Sequence, residues 1–156
     1  MYDMPDEVDV RADGPIRIIT LNRPDELNAV NDPLHVGLAK IWEALNEDAT
    51  ARAAVITGAG RAFSAGGDFN YLNELRSDEA LRQKTIKHGR DLVIGMIRCR
   101  MPVIAAVNGP AVGLGCSLAA LSDVVYMAET AFFADPHVQI GLVAAGTWFA
   151  RQLFDS

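Results

Sequence analysis

Short apolar runs alternate with amphipathic stretches along the chain, and this alternation predicts the secondary structure. Runs rich in apolar and β-branched residues predict strands at 16–21, 53–57, 103–107 and 123–128. Helical spacing predicts helices that begin near Asp32, which stands before Pro33 as an N-cap would, and near Ser77, and a short helix over 114–121. Strands that are apolar throughout and alternate with helices are typical of a largely parallel α/β arrangement. We therefore predict one α/β domain over residues 1–156.

The composition of the chain limits the kinds of ligand and the cellular setting that we expect. Half of the 156 residues are hydrophobic (50%), and the formal net charge is −6. This charge disfavours non-specific binding to nucleic acid or to an anionic membrane surface. The two cysteines, Cys99 and Cys116, show no metal-ligand spacing, so the sequence predicts no metal site and no disulfide framework. With a start that lacks the basic and apolar parts of a signal peptide, the expected setting is the cytoplasm.

The most apolar part of the chain, 102–121, raises the question of a membrane span. It contains Asn108, Gly109 and Pro110 in a row, followed by further small residues. These breaks would leave backbone groups without hydrogen bonds in lipid. A buried strand, a turn and a buried helix fit the stretch better, so we expect no membrane segment.

Two glycine-rich turns each follow an apolar strand and precede a helix start. The first covers 61–68 and the second covers 108–117. Glycine lets a ligand approach the main chain closely, and the start of a helix presents N–H groups that have no intrahelical partner. Two such turns that meet would aim a pair of N–H donors at one oxygen, as a developing oxyanion requires. Each turn by itself is also consistent with a simple tight connection.

Dinucleotide binding is a competing interpretation of the second turn. Gly113 and Gly115 follow a strand, and Glu129 ends the next strand, where an acid that binds ribose would stand. However, the third glycine of that fingerprint falls on Leu118. The helix between the two strands also has only about two turns, which is short for a crossover. The fingerprint is therefore incomplete.

Several ordered blocks of sequence resemble the enoyl-CoA hydratase/isomerase (crotonase) family. They span about residues 16–143 and comprise LNRP with LNA at 21–29, AFSAGGD at 62–68, AAVNGPAVGLGCSLA at 105–119 and AFFADPH at 131–137 with Gly141. The resemblance implies a crotonase-like spiral of repeated β-β-α units. It also implies an acyl-CoA thioester as ligand, with coenzyme A entering as part of the substrate and no separate cofactor.

The resemblance further implies which residues form the binding site. The two oxyanion donors would be the backbone N–H groups of Ala65 and Leu114. The residues expected to line the substrate and CoA path are Glu26, Leu27, Ala29, Ala62, Gly66, Gly67, Asp68 and Gly113. Asp25 departs from the family, which often has a basic residue there, although Arg23 and Arg61 are available for the CoA phosphates. Asp68 also has the pattern of an N-cap for a following helix.

The acid/base residues depart most from the family pattern. Its active hydratases carry two glutamates that share the catalytic water, and this chain has Ser117 and His137 in their places. A serine cannot act as a base at neutral pH without a partner that takes its proton. A histidine can serve as a general acid or base, and Asp135 would point to the same side if the segment is extended. His137 is alternatively a loop histidine that bonds a backbone carbonyl.

The last residues complete the prediction. Family members usually continue into helices that cover the active site and build a trimer, whereas 144–154 reads as a brief helix. We therefore expect the C-terminal helical trimerisation segment to be largely absent, and an apolar patch of Trp148, Phe149, Leu153 and Phe154. A homo-trimer or hexamer is implied for a full-length member.

Three functions follow from these features. The first is enoyl-CoA hydratase or isomerase activity with His137 in proton transfer. The second is acyl-CoA or subunit binding without turnover, because both glutamates are replaced. The third is thioester hydrolysis that uses Ser117 or a water near His137.

Overall fold

The apolar runs of the sequence become the strands of a sheet, and the amphipathic stretches become its helices. A computed structural model describes residues 2–137. The strands are β1 (Val8–Asp13), β2 (Ile16–Leu21), β3 (Ala53–Gly58), β4 (Val103–Val107), β5 (Ala111–Val112), β6 (Val124–Met127) and β7 (Phe133–Ala134). The helices are α1 (Asp32–Glu47), α2 (Phe69–Ser77), α3 (Glu79–Ile97) and α4 (Leu114–Ala120), with one 3₁₀ turn at Pro24–Glu26.

The sheet has the order β1-β2-β3-β4-β6. Strand β1 pairs antiparallel with β2, and the other pairs are parallel. A second sheet consists of β5 and β7. Along the chain the elements succeed one another as β1-β2-α1, β3-α2-α3, β4-β5-α4 and β6-β7, and two of these four groups are complete β-β-α units of the predicted spiral. The predicted α/β class and its parallel core are confirmed.

The parallel pairing decides where the connecting segments meet. Strands β2, β3 and β4 are neighbours and run in the same direction, so their carboxyl ends lie along one edge of the sheet. The segments that leave those ends are 22–31, 59–68 and 108–113. Both glycine-rich turns and the 22–31 segment are therefore brought together by the topology.

Helix α1 supplies much of the core. Its predicted apolar face is confirmed, since Leu34, Leu38, Ile41, Trp42 and Leu45 are all fully buried. Helix α3 packs against it closely. A Cβ on Gly95 would stand only 2.8 Å from Trp42 Cδ1, so the helices meet without room for a side chain at that position.

Three local predictions are corrected by the structure. The N-cap of α1 is Asn31, whose side chain accepts a hydrogen bond from Leu34 N at 3.0 Å, and Asp32 is the first helical residue. Strand β1 was not predicted, although Val8 and Val10 alternate with polar residues as in a half-buried strand. Strand β6 was predicted to be apolar like a buried strand, yet its four residues are exposed, Tyr126 by 70%.

The exposure of β6 has a topological reason. Within residues 2–137 it lies at the end of the sheet and pairs only with β4. The predicted apolar patch at Trp148, Phe149, Leu153 and Phe154 lies outside the described residues, as does Gly141. No helix among residues 2–137 combines the length and the hydropathy that a bilayer crossing needs.

A histidine pair lies between α1 and α3. His35 is only 6% exposed, and its ring centre lies 6.0 Å from that of His88 in an edge-on arrangement. The Nδ1 atoms of both rings are buried without a hydrogen-bond partner in the described part of the chain. Burial and the neighbouring His88 lower the pKa of His35 to about 4, against a smaller opposing effect of Asp32.

This pair predicts an acid-sensitive stability. Because the pKa of His35 in the folded chain lies below its ordinary value of 6.5, the unfolded chain binds the proton more readily. We expect the free energy of unfolding to fall by about 3 kcal/mol between about pH 6.5 and about pH 4 through His35 alone. Urea unfolding at a series of pH values measures this loss.

The variant His35→Leu separates this effect from the titration of carboxylates elsewhere. Leucine fills a similar volume and cannot take up a proton, so the variant should lose less stability than the wild type between pH 6.5 and 4. Equal losses in the two proteins would show that His35 does not cause the acid sensitivity.

Candidate functional site

The two glycine-rich turns touch each other. A Cβ on Gly113 would stand 3.7 Å from Gly66 Cα, and Val112 N donates a hydrogen bond to Ser64 O at 2.8 Å. Both glycines have positive φ angles, +89° for Gly66 and +54° for Gly113, which L side chains rarely adopt. The sequence therefore needs glycine at both points of closest approach, and the turns converge as the sequence suggested.

The first turn holds a donor different from the predicted one. Ala65 N donates to Leu27 O at 2.9 Å, so its N–H is already used within the chain. The prediction of Ala65 as an oxyanion donor is therefore corrected. From Phe63 to Asp68, every backbone N–H has a partner within the described residues except that of Gly67.

The reason lies in a short parallel bridge between Val30 and Gly67. Val30 N donates to Gly66 O at 2.7 Å, and Asp68 N donates to Val30 O at 3.0 Å. In an extended segment successive N–H groups point to opposite sides, so the N–H of Gly67 points away from Val30. It is therefore left for a ligand.

The second predicted donor, the N–H of Leu114, lies at the start of a helix. Leu114 is the first residue of α4, and its N–H has no partner in residues 2–137. The N-cap, Gly113, contributes no side-chain hydrogen bond. The first N–H groups of a helix lack intrahelical acceptors and favour negative charge. Gly67 and Leu114 thus each present an N–H without a partner in the described residues, directly after one of the two touching glycines.

The segment before α1 closes the site on its other side. Leu27 and Asn28 both have positive φ angles, 53° and 55°, a conformation that costs a non-glycine residue about 1–3 kcal/mol. The side chain of Asn28 offsets this cost: it is fully buried and donates to Ala59 O and Ala62 O at 2.9 Å each. Sequence reasoning named Leu27 and Ala29 but missed Asn28, although asparagine is among the residues that tolerate this conformation.

Asp68 fixes the start of α2, as predicted. Its carboxylate accepts hydrogen bonds from Asn70 N at 2.9 Å and Tyr71 N at 3.2 Å, and it pairs with Arg23 Nη1 at 3.2 Å. Burial opposes the charge, but the Tyr71 N–H and Arg23 outweigh it, so the pKa of Asp68 is below its ordinary value.

The two arginines suggested for the CoA phosphates differ in the structure. Arg23 also donates to the carbonyl of Ala29, and its side chain is only 15% exposed. It is therefore committed to Asp68 and the 22–31 segment, and its prediction as a phosphate partner is corrected. Arg61 and Glu26 are exposed at the same end of the sheet.

His137 lies against the second turn. Its Nδ1 pairs with Asp135 Oδ1, and its backbone N donates to the same carboxylate oxygen at 3.2 Å. The other ring nitrogen, Nε2, lies 3.7 Å from the position of a Cβ on Gly113. The expected alignment of Asp135 with His137 is thus present, and Asp135 holds the ring beside Gly113.

Ser117 and Cys116 are placed less favourably for chemistry. The Ser117 hydroxyl donates to Gly113 O of its own helix at 3.4 Å and makes no hydrogen bond to His137. Burial raises the pKa of the Cys116 thiol, and the charge of Asp135 adds to this effect. Cys116 is therefore held in the thiol form, which is a poor nucleophile.

Other parts of the described chain offer no competing centre. Residues 2–137 contain no group of three His, Cys, Asp or Glu side chains placed as metal ligands. A surface concavity of about 940 Å³ lies along the N-terminal segment and β1, and it shares no lining residue with the two turns. The buried Arg17 in its wall is already paired with Asp48 at 2.7 Å.

The fold and the site together define an α/β protein that presents two backbone donors where the ends of parallel strands meet. Comparison with known proteins gives the family: the model described as enoyl-CoA hydratase/isomerase matches residues 11–153. The chain belongs to the enoyl-CoA hydratase/isomerase family.

Individual relatives agree with this assignment. The chain is 40% identical to a mitochondrial enoyl-CoA hydratase of Pongo abelii over 85% of this chain and 45% of the relative. It is 38% identical to a 1,2-epoxyphenylacetyl-CoA isomerase of Escherichia coli over 85% of this chain and 52% of that protein. The chain thus spans about half the length of the curated relatives it matches.

A solved structure agrees in backbone as well. The crystal structure of an enoyl-CoA hydratase/isomerase from Mycobacterium paratuberculosis superposes with a TM-score of 0.92 at 74% identity. This match covers 93% of the present chain and 58% of that chain.

Proposed function

We propose that this chain binds an acyl-CoA thioester and stabilises the enolate oxyanion of that thioester with the N–H groups of Gly67 and Leu114. The observation that carries the proposal is that these two N–H groups, each beside one of the touching glycines, are left without internal partners in the described residues. Donors fixed before the reaction stabilise a developing oxyanion strongly because they need not reorganise.

The reaction class follows from what this polarisation does. Withdrawing electron density into the thioester oxygen acidifies the α-carbon and makes the β-carbon of an enoyl chain electrophilic. The site therefore supports addition of water across the double bond or migration of that bond. Both belong to the hydratase/isomerase type that the family relatives carry in their names.

We assign proton transfer to His137, with Asp135 as the residue that orients it. In hydration, Nε2 takes a proton from water as the water oxygen bonds to the β-carbon and the electron pair of the double bond moves into the enolate. The proton is then delivered to the α-carbon as the thioester carbonyl re-forms. In isomerisation, the same nitrogen carries a proton between two carbons. Asp135 holds Nδ1 and so directs Nε2 to the second turn.

Coenzyme A enters as part of the substrate, and no further cofactor is proposed. By its family, the whole protein is proposed to form a homo-trimer or hexamer. Of the two arginines suggested for the CoA phosphates, the exposed Arg61 is the one we propose, since Arg23 is paired with Asp68.

Binding without turnover is the second candidate function. The replacement of both catalytic glutamates favours it, and so does the Ser117 hydroxyl, which bonds back to its own helix. Hydrolysis of the thioester through Ser117 is disfavoured by the same bond, because no base receives the serine proton.

One assay separates these functions. The protein is incubated with crotonyl-CoA while the absorbance of the conjugated enoyl thioester and the concentration of free thiol are followed. We expect the absorbance to fall without release of thiol. Thiol release would show hydrolysis instead, and binding without either change would show a non-catalytic role. A non-conjugated thioester whose double bond lies one carbon further from the carbonyl tests isomerisation, which moves the double bond into conjugation and raises the enoyl absorbance.

A further inference from the structure

We infer that Ser64 is a positioning residue: its buried hydroxyl sets the direction of the Gly67 N–H relative to the Leu114 N–H. This inference rests on the proposed function. Ser64 is 0% exposed and touches all three segments that form the site, namely the 22–31 segment and both glycine-rich turns.

The backbone of Ser64 fastens the first turn to the second. Ser64 N donates to Pro110 O at 3.1 Å, and Ser64 O accepts from Val112 N at 2.8 Å. A Cβ on Gly115 would stand 2.9 Å from Ser64 Cβ, so α4 packs directly on this residue. The position of Ser64 is thus fixed relative to the helix that carries the Leu114 N–H.

The side chain of Ser64 fastens the donor peptide of the first turn. Its Oγ donates to Asn28 O at 2.9 Å and accepts from Gly66 N at 3.3 Å. The hydroxyl therefore uses its proton and one of its lone pairs. It holds the carbonyl of Asn28, whose backbone is in the costly left-handed conformation. It also holds the N–H of Gly66 itself.

Glycine at position 66 makes this restraint necessary. The peptide group between Gly66 and Gly67 contains the carbonyl of Gly66, which accepts from Val30 N, and the N–H of Gly67. A planar trans peptide points these two groups in opposite directions, so the Gly67 N–H is aimed by whatever fixes the dihedral angles of Gly66. Glycine itself does not fix them, because it has access to more backbone conformations than other residues. Val30 N holds the carbonyl of this peptide, and the bond from Gly66 N to Ser64 Oγ adds a second restraint on the other side of Gly66.

The test uses an aryl-conjugated acryloyl-CoA thioester as a chromophoric probe. Its absorption moves to longer wavelength when the thioester carbonyl is polarised, so the shift reports the two donors apart from turnover. We expect Ser64→Ala to lose most of the red shift and to lower kcat by about 10- to 100-fold, since a small misplacement of a donor has effects of this size. The KM and the dissociation constant of the probe should change little, because the CoA contacts remain.

Two further variants make the result specific. Ser122→Ala removes a hydroxyl that donates to Leu118 O of α4 at 2.8 Å; Ser122 lies just beyond the end of that helix, away from the donors, so this variant should keep the full shift. Ser64→Cys keeps the volume with a weaker hydrogen bond and should give an intermediate shift. If circular dichroism shows that Ser64→Ala does not fold, Ser64→Cys decides the question.

The outcomes distinguish the role of Ser64 from the oxyanion site itself. A wild-type shift that is retained in full by Ser64→Ala, or by Ser64→Cys where the alanine variant does not fold, would overturn the role of Ser64 and leave the oxyanion site standing. A wild-type protein that binds the probe without any red shift would overturn the oxyanion site and the role of Ser64 with it.

Discussion

The variant Leu114→Pro should lower kcat/KM for an enoyl-CoA thioester by about two to three orders of magnitude, because it deletes one oxyanion donor. Proline has no backbone N–H, and the N–H of Leu114 is a donor that makes no hydrogen bond within the described residues. The first position of a helix tolerates proline well, since its fixed φ suits the helix and no intrahelical bond is lost. The change therefore removes a donor with little effect on the fold.

The matched control is Leu114→Ala, which shortens the side chain and keeps the N–H. We expect it to retain activity within a few-fold of the wild type. Circular dichroism and thermal unfolding verify that both variants fold, and the chromophoric thioester shows whether the red shift is lost only in the proline variant. Equal activity of Leu114→Pro and the wild type would mean that the N–H of Leu114 does not act in catalysis.

The location of the site could be predicted from the sequence because it follows from topology. The runs that became β3 and β4 are apolar throughout, which is typical of parallel strands covered on both faces. Glycine-rich turns directly after two such strands meet at one edge whenever the strands are neighbours. The hydrophobic pattern and the spacing of the glycines were therefore sufficient to predict that the turns converge and that a helix begins at Leu114.

The identity of the first donor could not be predicted in this way. Ala65 and Gly67 are two residues apart in the same turn, and the difference between them is made by the 22–31 segment, which is distant in sequence. Leu27 O accepts from Ala65 N, and Val30 bridges to the residues beside Gly67. No local pattern shows which carbonyl will occupy which N–H. The donor assignment therefore needs the tertiary structure.

The same limit applies to side chains that hold other segments. Arg23 was available for phosphate binding by its charge, but Asp68 is its partner across 45 positions of sequence. Asn28 and Ser64 looked like ordinary loop residues, and only their burial and their long-range hydrogen bonds show that they build the site. A polar residue in a loop acquires its role from partners that its neighbours in sequence do not reveal.

The assignment of proton transfer to His137 leads to the second prediction of a large loss of activity. His137→Ala should lower kcat by about 10²- to 10⁴-fold, the usual contribution of a general acid or base, while the red shift of the bound probe is kept. The probe shift distinguishes this variant from Leu114→Pro, in which the polarising donor itself is gone. Asp135→Asn should cause a smaller loss, because the amide oxygen can still accept from Nδ1 but is a weaker acceptor than a carboxylate oxygen.

Chemical rescue provides the sharper measurement. Replacing His137 by alanine opens a space beside Gly113, where the ring now lies 3.5 Å from the position of a Cβ. Added imidazole can occupy that space and carry the proton, so it should restore part of kcat in His137→Ala and none in Leu114→Pro. Full activity of His137→Ala without imidazole would exclude His137 as the proton carrier. With Ser117 bonded to Gly113 O and Cys116 held as a thiol, that result would leave water, without a side-chain base, as the simplest carrier of the proton.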